Sequence, residues 1–215
     1  AQRYIDFYPT DEDAAYAQYL LALSYYDQID EVGRDQGLTF QALQALRAVI
    51  ETYPESEYAR SSVLKFDLAF DHLAAKEMEI GRYYLKRDHY AAAVNRFRTV
   101  VEDFQTTTHT PEALHRLVEA YLEKSPSDLG QIREGITNAD AETVRAAAHG
   151  FKSSSANLGA MSLYALCQKL ESAAASGDLS KAGPLFEGIE TEYDRVRSAL
   201  TEISGVTCTN EHIEA

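Results

Sequence analysis

Apolar residues recur at helical spacing along almost the whole chain, and this periodicity constrains the fold more than any other sequence feature. Between residues 39 and 53 they lie three or four positions apart, at Phe40, Leu43, Leu46, Val49 and Ile50. Such spacing places them on one face of an amphipathic helix. Similar stretches follow with short polar turns between them, and the 215 residues include only 5 prolines and 11 glycines. We therefore predict an all-α protein.

The first half of the chain contains an internal repeat. Residues 42–59 (ALQALRAVIETYPESEYA) resemble residues 92–113 (AAVNRFRTVVEDFQTTTHTPEA), and residues 1–17 form a fainter copy. The tetratricopeptide pattern is matched by five residues: Gly81, Tyr84, Tyr90, Ala93 and Phe97. In that pattern small residues lie where two helices cross, and aromatic residues fill the space beside them. The repeat predicts a helical solenoid, whose concave face is suited to peptides or partner helices.

The same half, residues 1–122, resembles the BamD family of outer-membrane assembly lipoproteins. Four segments carry the resemblance: RYIDFYPTDEDAAYAQYLLALSYYDQI, ALRAVIETYPESEYA, KEMEIGRYYLKRDHYAAAVNRFRTVVEDF and TPEALHRLVEAYL. The family implies a lipid-anchored periplasmic repeat protein that helps a barrel-insertion machine handle outer-membrane proteins. The chain begins Ala1-Gln2-Arg3, without a lipidated cysteine or the family's first repeats. We therefore expect an excised or engineered solenoid fragment.

After Leu122 the repeat pattern gives way to a different set of helices. Pro111 suits the first turn of a helix through Leu122, and Pro126 is expected to kink or restart that helix. Three further helices are predicted, at 141–158, 161–175 and 179–203. A flaw in the last of them is expected near Gly183-Pro184. Four helices joined by short loops predict an antiparallel bundle.

This second region, residues 112–204, contains the motif AHGFKSSSANLGA at 148–160, followed by Leu163, Cys167 and Leu170-Glu171. It resembles the histidine phosphotransfer (HPt) domain. The resemblance implies that His149 accepts a phosphoryl group and that Glu171 hydrogen-bonds the other ring nitrogen. The family usually has glycine where Ser153 stands, so the serine is expected to lower the transfer rate.

The helical phase agrees with that assignment. Ala148 and Phe151 are predicted to point inward, which places His149 at the water-facing edge of the buried stripe. Lys152 and Arg145, three positions after and four before, share its face. These cations are expected to stabilise a phosphorylated imidazole. A small residue four positions on, Ser153, is expected to leave room for a partner's aspartyl phosphate.

No cofactor is predicted for this chain. The resemblance implies that a partner receiver domain, of a response regulator or a hybrid histidine kinase, brings both magnesium and the aspartate. Phosphoryl transfer depends mainly on positioning and charge stabilisation, so a small helical domain suffices.

Other reactive side chains are interpreted as structural. His109 and His115 with Glu112 straddle a helix start and lack a fourth ligand for zinc. The serine run 153–155 has no activating base at a suitable spacing. The remaining histidines lack a functional context: His72, His89 and His212. The two cysteines, Cys167 and Cys208, are expected to be unpaired thiols.

The charge of the chain argues against several classes of partner. The formal net charge is -14, and residues 1–122 carry 12 Lys+Arg against 20 Asp+Glu. The rest of the chain is acidic as well, so nucleic acid and acidic membrane surfaces are not expected as partners. No run of 18 apolar residues predicts a membrane span.

These observations predict two domains that share a helix: a repeat fragment at 1–122 and a phosphotransfer bundle at 111–206. The shared helix is 111–122. We expect it to continue across Leu122-Glu123 and to hold the two domains in a fixed relation. A tail is expected at 207–215. The leading hypothesis is a cytoplasmic phosphorelay carrier on a repeat scaffold. Because a BamD-like parent would be periplasmic, we expect an engineered fusion. The alternative is a protein-binding scaffold with an inert bundle; no constellation favours a standalone enzyme.

Overall fold

A computed structural model describes residues 1–32 and 34–204, and within them the chain is helical with no β-strand. The all-α prediction is therefore confirmed. The described helices are α1 (Gln2–Phe7), α2 (Ala14–Tyr26), α3 (Gly37–Thr52), α4 (Glu57–Leu85), α5 (Tyr90–Asp103), α6 (Thr110–Thr137), α7 (Ala141–Asn157), α8 (Met161–Ala175) and α9 (Ala182–Ser204). Cys208, His212 and the predicted tail at 207–215 lie outside the described residues. None of the described helices is long and apolar enough to cross a bilayer.

The chain packs into two compact units. The first, called the repeat unit, contains residues 1–80 and 99–110. The second, called the bundle unit, contains residues 81–98 and the chain from Pro111 onward. The last turn of α4, the connection at 86–89 and most of α5 thus belong to the bundle unit. We call this segment, residues 81–98, the hairpin.

Small apolar clusters contribute to the core of the repeat unit. One gathers Leu46 with Ala22 and Val49, and another gathers Leu43 with Leu73. The predicted stripe of α3 is correct at these positions but wrong at Phe40, which is 56% exposed. Phe40 lies in the first turn of α3, beside a cavity of about 250 Å³ rather than beneath a packed helix.

The hairpin shows the close helix crossing that the repeat pattern predicts. A Cβ atom placed on Gly81 would lie only 2.5 Å from Cε1 of Phe97, which is fully buried. No larger residue fits there without displacing the ring. The turn that follows α4 passes through Asp88, which has a left-handed backbone with φ of 58°.

Helix α6 runs unbroken from Thr110 to Thr137, with Pro126 inside it. The predicted continuity across Leu122-Glu123 is confirmed, and the predicted restart at Pro126 is wrong. Proline removes one backbone hydrogen bond, whereas Tyr121 before it and Ile132 after it are buried in one core. Burial of both halves of the helix outweighs the missing bond. The Ser125 hydroxyl also donates to the Tyr121 carbonyl oxygen at 2.6 Å.

The bundle is formed by α6, α7, α8 and α9. Asp140 caps α7, because its carboxylate accepts hydrogen bonds from the backbone N–H groups of Glu142 and Thr143. Gly159 follows α7 with φ of +72°, a conformation that favours glycine. The flaw expected near Gly183-Pro184 is absent, because α9 begins at Ala182 and proline is tolerated in a first turn.

Three aromatic rings from different helices form the centre of this core. Tyr121 stacks on Phe151 with ring centroids 6.1 Å apart, and Tyr193 lies 5.8 Å from Phe151. Burial raises the pKa of the Tyr121 phenol, whose oxygen lies 3.4 Å from Ser155 Oγ. The same core encloses Cys167, a free thiol whose pKa burial raises to about 12.

Candidate functional site

His149 stands on the outer side of α7, with 60% of its side chain exposed. Ala148 before it and Phe151 after it are fully buried in the bundle core. The predicted orientation of this stretch is therefore confirmed: the backbone is anchored from below, and the imidazole is accessible from the solvent. A rigid helix is a more precise support for a reacting group than a loop.

The ring of His149 is oriented by a carboxylate from the neighbouring helix. Nδ1 of His149 lies 2.7 Å from Oε1 of Glu171 on α8. An ionised carboxylate only accepts hydrogen bonds, so Nδ1 carries the proton in this contact. The lone pair of the neutral ring is then on Nε2.

The same carboxylate binds a second cation. Lys152 Nζ donates to Oε2 of Glu171 at 2.6 Å, and both side chains are more than four-fifths buried. The hydrogen bond from the Lys152 ammonium group is the main cause that lowers the pKa of Glu171. Burial raises this pKa and the contact with His149 lowers it, and the net shift is downward. The Glu171 partner raises the pKa of Lys152 in turn. The ion pair therefore keeps Glu171 charged and fixed at the imidazole.

The other two predicted residues lie on the same face with partners of their own. Arg145 binds Glu142 through Nε at 2.9 Å and Nη2 at 2.6 Å. The Ser153 hydroxyl donates to the carbonyl oxygen of His149 at 3.0 Å. The extra group at Ser153 is thus held against the helix backbone. Of the predicted cations, Lys152 belongs to the Glu171 network and Arg145 to a separate pair.

A buried acid on the other flank of α7 was missed by the sequence analysis. Asp128 on α6 is 4% exposed and forms an ion pair with Lys124, whereas its Oδ2 atom has no hydrogen-bond partner. Burial raises the pKa of Asp128, against the opposing effect of Lys124. Its helical phase was the available signal, since Asp128 lies seven residues after Tyr121 and four before Ile132 on the buried stripe.

A second missed contact joins the hairpin to α7. Arg98 Nη1 on α5 donates to Oδ1 of Asn157, the last residue of α7, at 2.7 Å. Residues 59 positions apart give no local pattern from which such a contact can be predicted.

The residues weighed as a metal site have separate partners. His109 Nε2 lies 3.4 Å from Asp71 Oδ2, whereas Glu112 binds Arg82. Within residues 1–32 and 34–204, no group of three or more His, Cys, Asp or Glu side chains is arranged to hold a metal ion.

Comparisons with known proteins match the two regions to two families. Residues 1–134 match the YfiO family, described as outer membrane lipoprotein, and residues 116–199 match the Hpt domain. The two matches overlap at 116–134, within α6.

Curated relatives of the first region carry the name outer membrane protein assembly factor BamD. The Caulobacter vibrioides protein is 56% identical over 122 residues, which are 57% of this chain and 40% of the relative. The Rickettsia prowazekii protein is 50% identical over 119 residues, covering 55% of this chain and 47% of the relative. The Neisseria gonorrhoeae protein is 29% identical over 130 residues, covering 56% and 49%. The chain thus spans about half the length of the curated relatives it matches.

The two resemblances drawn from the sequence are confirmed by these matches, which also agree with the helices that carry them. By its match over residues 1–134 the chain belongs to the outer membrane lipoprotein family of BamD-like proteins, and over residues 116–199 it contains an Hpt domain.

Proposed function

We propose that the bundle is a phosphorelay carrier: His149 accepts a phosphoryl group from a receiver-domain aspartate and returns it to another. The observation that carries this proposal is an imidazole with 60% of its surface exposed and Nδ1 held 2.7 Å from Glu171 Oε1. Exposure gives a partner access, and the hydrogen bond selects the tautomer with a nucleophilic Nε2. The Hpt match of the surrounding helices supports the same role.

The transfer step uses these atoms as follows. The Nε2 lone pair of His149 forms a bond to phosphorus, and the bond between phosphorus and the aspartyl oxygen breaks, with its electron pair leaving on the aspartate. Positive charge develops on the ring during attack. Glu171 faces that charge through Nδ1–H, and it remains ionised because Lys152 holds its other oxygen. Preorganised charge of this kind favours the transition state.

The test is incubation with a panel of receiver domains that carry labelled phosphate and bound magnesium. We expect a phosphate on the chain that is labile in acid and stable in base, and that is lost in His149→Gln. The matched control is His115→Gln, because His115 is also an exposed histidine on a helix of the bundle unit. Absence of label from every receiver, or equal label in the His149 variant, would contradict the proposal.

A second function is favoured by the repeat unit. Its cavity of about 250 Å³ is lined mainly by aromatic and apolar side chains, among them Phe40, Phe66, Phe70 and Phe104. Arg47 lies over the Phe66 ring at 5.5 Å. We propose that this cavity binds extended peptides of outer-membrane proteins or other assembly components, in keeping with the name of the curated relatives.

Binding of fluorescent outer-membrane protein peptides, followed by anisotropy, tests this second function. Phe40→Ser should weaken binding at least tenfold, whereas Tyr83→Ser, an exposed aromatic of the hairpin, should leave it unchanged. Equal losses in the two variants, or an absence of binding across overlapping peptides, would contradict it.

We also propose that the chain is an engineered fusion in which α6 serves both families. The overlap of the two matches within one unbroken helix supports this origin. A genome that encodes these residues in one reading frame would contradict it. The two parts imply different locations: the cytoplasm for exchange with receiver domains, and the periplasm for a BamD-like parent. Fractionation of cells that express the chain distinguishes these locations.

A further inference from the structure

The hairpin (81–98) is tied to the four bundle helices at two points. Within the hairpin itself, Gly81 on α4 packs closely against the Phe97 ring on α5. Arg82 Nη1 donates to both carboxylate oxygens of Glu112 on α6 at 3.1 Å. Arg98 reaches Asn157 on α7 at 2.7 Å. With contacts to two different helices of the bundle, the hairpin is a fixed neighbour of α7.

The contact between Arg98 and Asn157 lies on α7, the helix that carries His149. Asn157 follows His149 by eight residues, so the two are separated by about 12 Å along the axis and by roughly 80° around it. A stable complex covers about 800 Å² on each partner, which corresponds to a disc of roughly 16 Å radius. A partner centred on His149 therefore covers Asn157 and the guanidinium that it holds.

The charges on this flank fit an acidic partner. Arg98 comes from the hairpin, and Lys124 lies beside Gly150, with its Nζ 4.0 Å from where a Cβ of Gly150 would be. On the opposite flank Lys152 and Arg145 border the imidazole. Cations thus border the histidine on both sides, with Lys124, Lys152 and Arg145 each paired to a carboxylate of this chain, although the net charge of the whole chain is -14. A domain that offers a phosphorylated aspartate and the carboxylates of a magnesium site presents the complementary charge.

We propose that the hairpin forms part of the surface on which a receiver domain docks, and that Arg98, held by Asn157, is a positioning residue that selects among receivers. This inference rests on the proposed carrier function of His149. A bundle without the hairpin would offer only α7 and α8 to its partner. Here the partner must also fit the side of α5, so receivers with an acidic edge next to the phosphorylation site are favoured.

The experiment measures transfer from phosphorylated receiver to His149 at varied receiver concentration in the whole chain. Arg98→Glu should raise the KM for the receiver about tenfold and leave the maximal rate within twofold, because it alters docking and not the reacting atoms. Arg98→Lys should restore most of the affinity. Asn157→Ala, which keeps the charge but removes its anchor, should have an intermediate effect of about threefold.

Two controls separate docking from folding and from general charge. Arg87→Glu makes the same charge change at the far end of the hairpin, where Arg87 lies over the Tyr83 ring at 4.4 Å; it should leave the KM unchanged. Phosphoramidate, a small phosphoryl donor, should label His149 equally in all variants, because it needs no docking surface. If Arg98→Glu fails to fold, Arg98→Ala and Asn157→Ala replace it.

The outcomes distinguish this inference from the function on which it rests. If the wild-type chain receives phosphate and Arg98→Glu has the same KM, or if Arg87→Glu is impaired equally, the docking role is wrong and the carrier function stands. If the wild-type chain receives no phosphate from any receiver, both are wrong.

Discussion

The bundle unit and the repeat unit differ in how they distribute their large apolar side chains: four of them are exposed in the described part of the bundle unit, among them Met161 and Ile203, against ten in that of the repeat unit. The bundle buries one continuous core, from Tyr121 to Tyr193, and places a charged cluster around His149 on its surface. The repeat unit has small separate clusters, and large apolar side chains such as Phe7, Leu64 and Leu68 are more than three-fifths exposed. The bundle thus carries its charged cluster on a continuous core, whereas the repeat unit exposes more of its large apolar side chains.

The largest expected effect comes from the centre of the bundle. Phe151→Ala should lower the free energy of unfolding by about 3–5 kcal/mol, because it empties the space between Tyr121 and Tyr193. Phe40→Ala in the repeat unit should stay within about 1 kcal/mol of wild type, because that ring is largely exposed. Urea denaturation followed by circular dichroism measures both. Similar losses for the two variants would break the comparison.

The next largest expected effect is on the rate of phosphoryl transfer. Glu171→Gln removes the charge that faces Nδ1–H, and charge-assisted hydrogen bonds contribute about 1.5–3 kcal/mol, so transfer to His149 should slow roughly tenfold to a hundredfold. Single-turnover transfer from a phosphorylated receiver measures the rate. The matched control is Glu142→Gln, whose partner Arg145 lies outside the Glu171 network. An equal loss of rate in both variants would show that general surface charge, not the oriented ring, governs transfer.

A third prediction concerns how closely the helices approach each other. Gly81→Ala should cost about 1–3 kcal/mol of unfolding free energy, because the new methyl group overlaps the Phe97 ring. Gly130→Ala on α6, where nothing lies within 4 Å, should instead stabilise the helix by about 0.5–1 kcal/mol. Thermal unfolding of the two variants measures the difference. A neutral Gly81→Ala would mean that the hairpin yields more readily than its geometry indicates.

The smallest effect contrasts two acids within the bundle. The folded-state pKa of Glu171 is lowered, so its stabilisation is present above its unfolded pKa of about 4.3 and is lost as the pH falls through the lower folded value. The folded-state pKa of Asp128 is raised instead. Ionised Asp128 therefore destabilises the fold, and this penalty grows as the pH rises from the unfolded pKa of about 4 through the higher folded value.

Unfolding curves between pH 3.5 and 7 test these signs. As the pH rises, Asp128→Asn should gain stability relative to wild type, whereas Glu171→Gln should lose it. Parallel curves for the two variants would contradict the distinction between an acid whose pKa burial raises and one whose pKa an ion pair lowers.

Much of this arrangement could be predicted because it depends on local spacing. The phase of α7 places Ala148 and Phe151 inward and His149 outward, and the structure has them there. Helix breakers were misjudged for a physical reason: whether Pro126 ends a helix depends on how much surface lies buried on both sides of it. That quantity is set by α7, α8 and α9, which no local window contains.

Side-chain contacts between different helices were the other feature that the sequence could not predict. Spacing placed Lys152 and Arg145 on one face but did not determine their acceptors, which are Glu171 on α8 and Glu142 within α7. The Arg98–Asn157 contact joins distant parts of the chain, and only the packed hairpin brings them together. The roles of these residues in transfer remain predictions, to be decided by the variants described above.

The buried thiol of Cys167 can serve as a probe of how often the bundle opens. With no exposed surface and a pKa of about 12, it should resist alkylating reagents until the bundle opens. In a Cys208→Ser background, the alkylation rate would therefore report how often the helices beneath His149 separate. Phosphorylation that tightens or loosens those helices would be recorded as a change in that rate, without any receiver domain present.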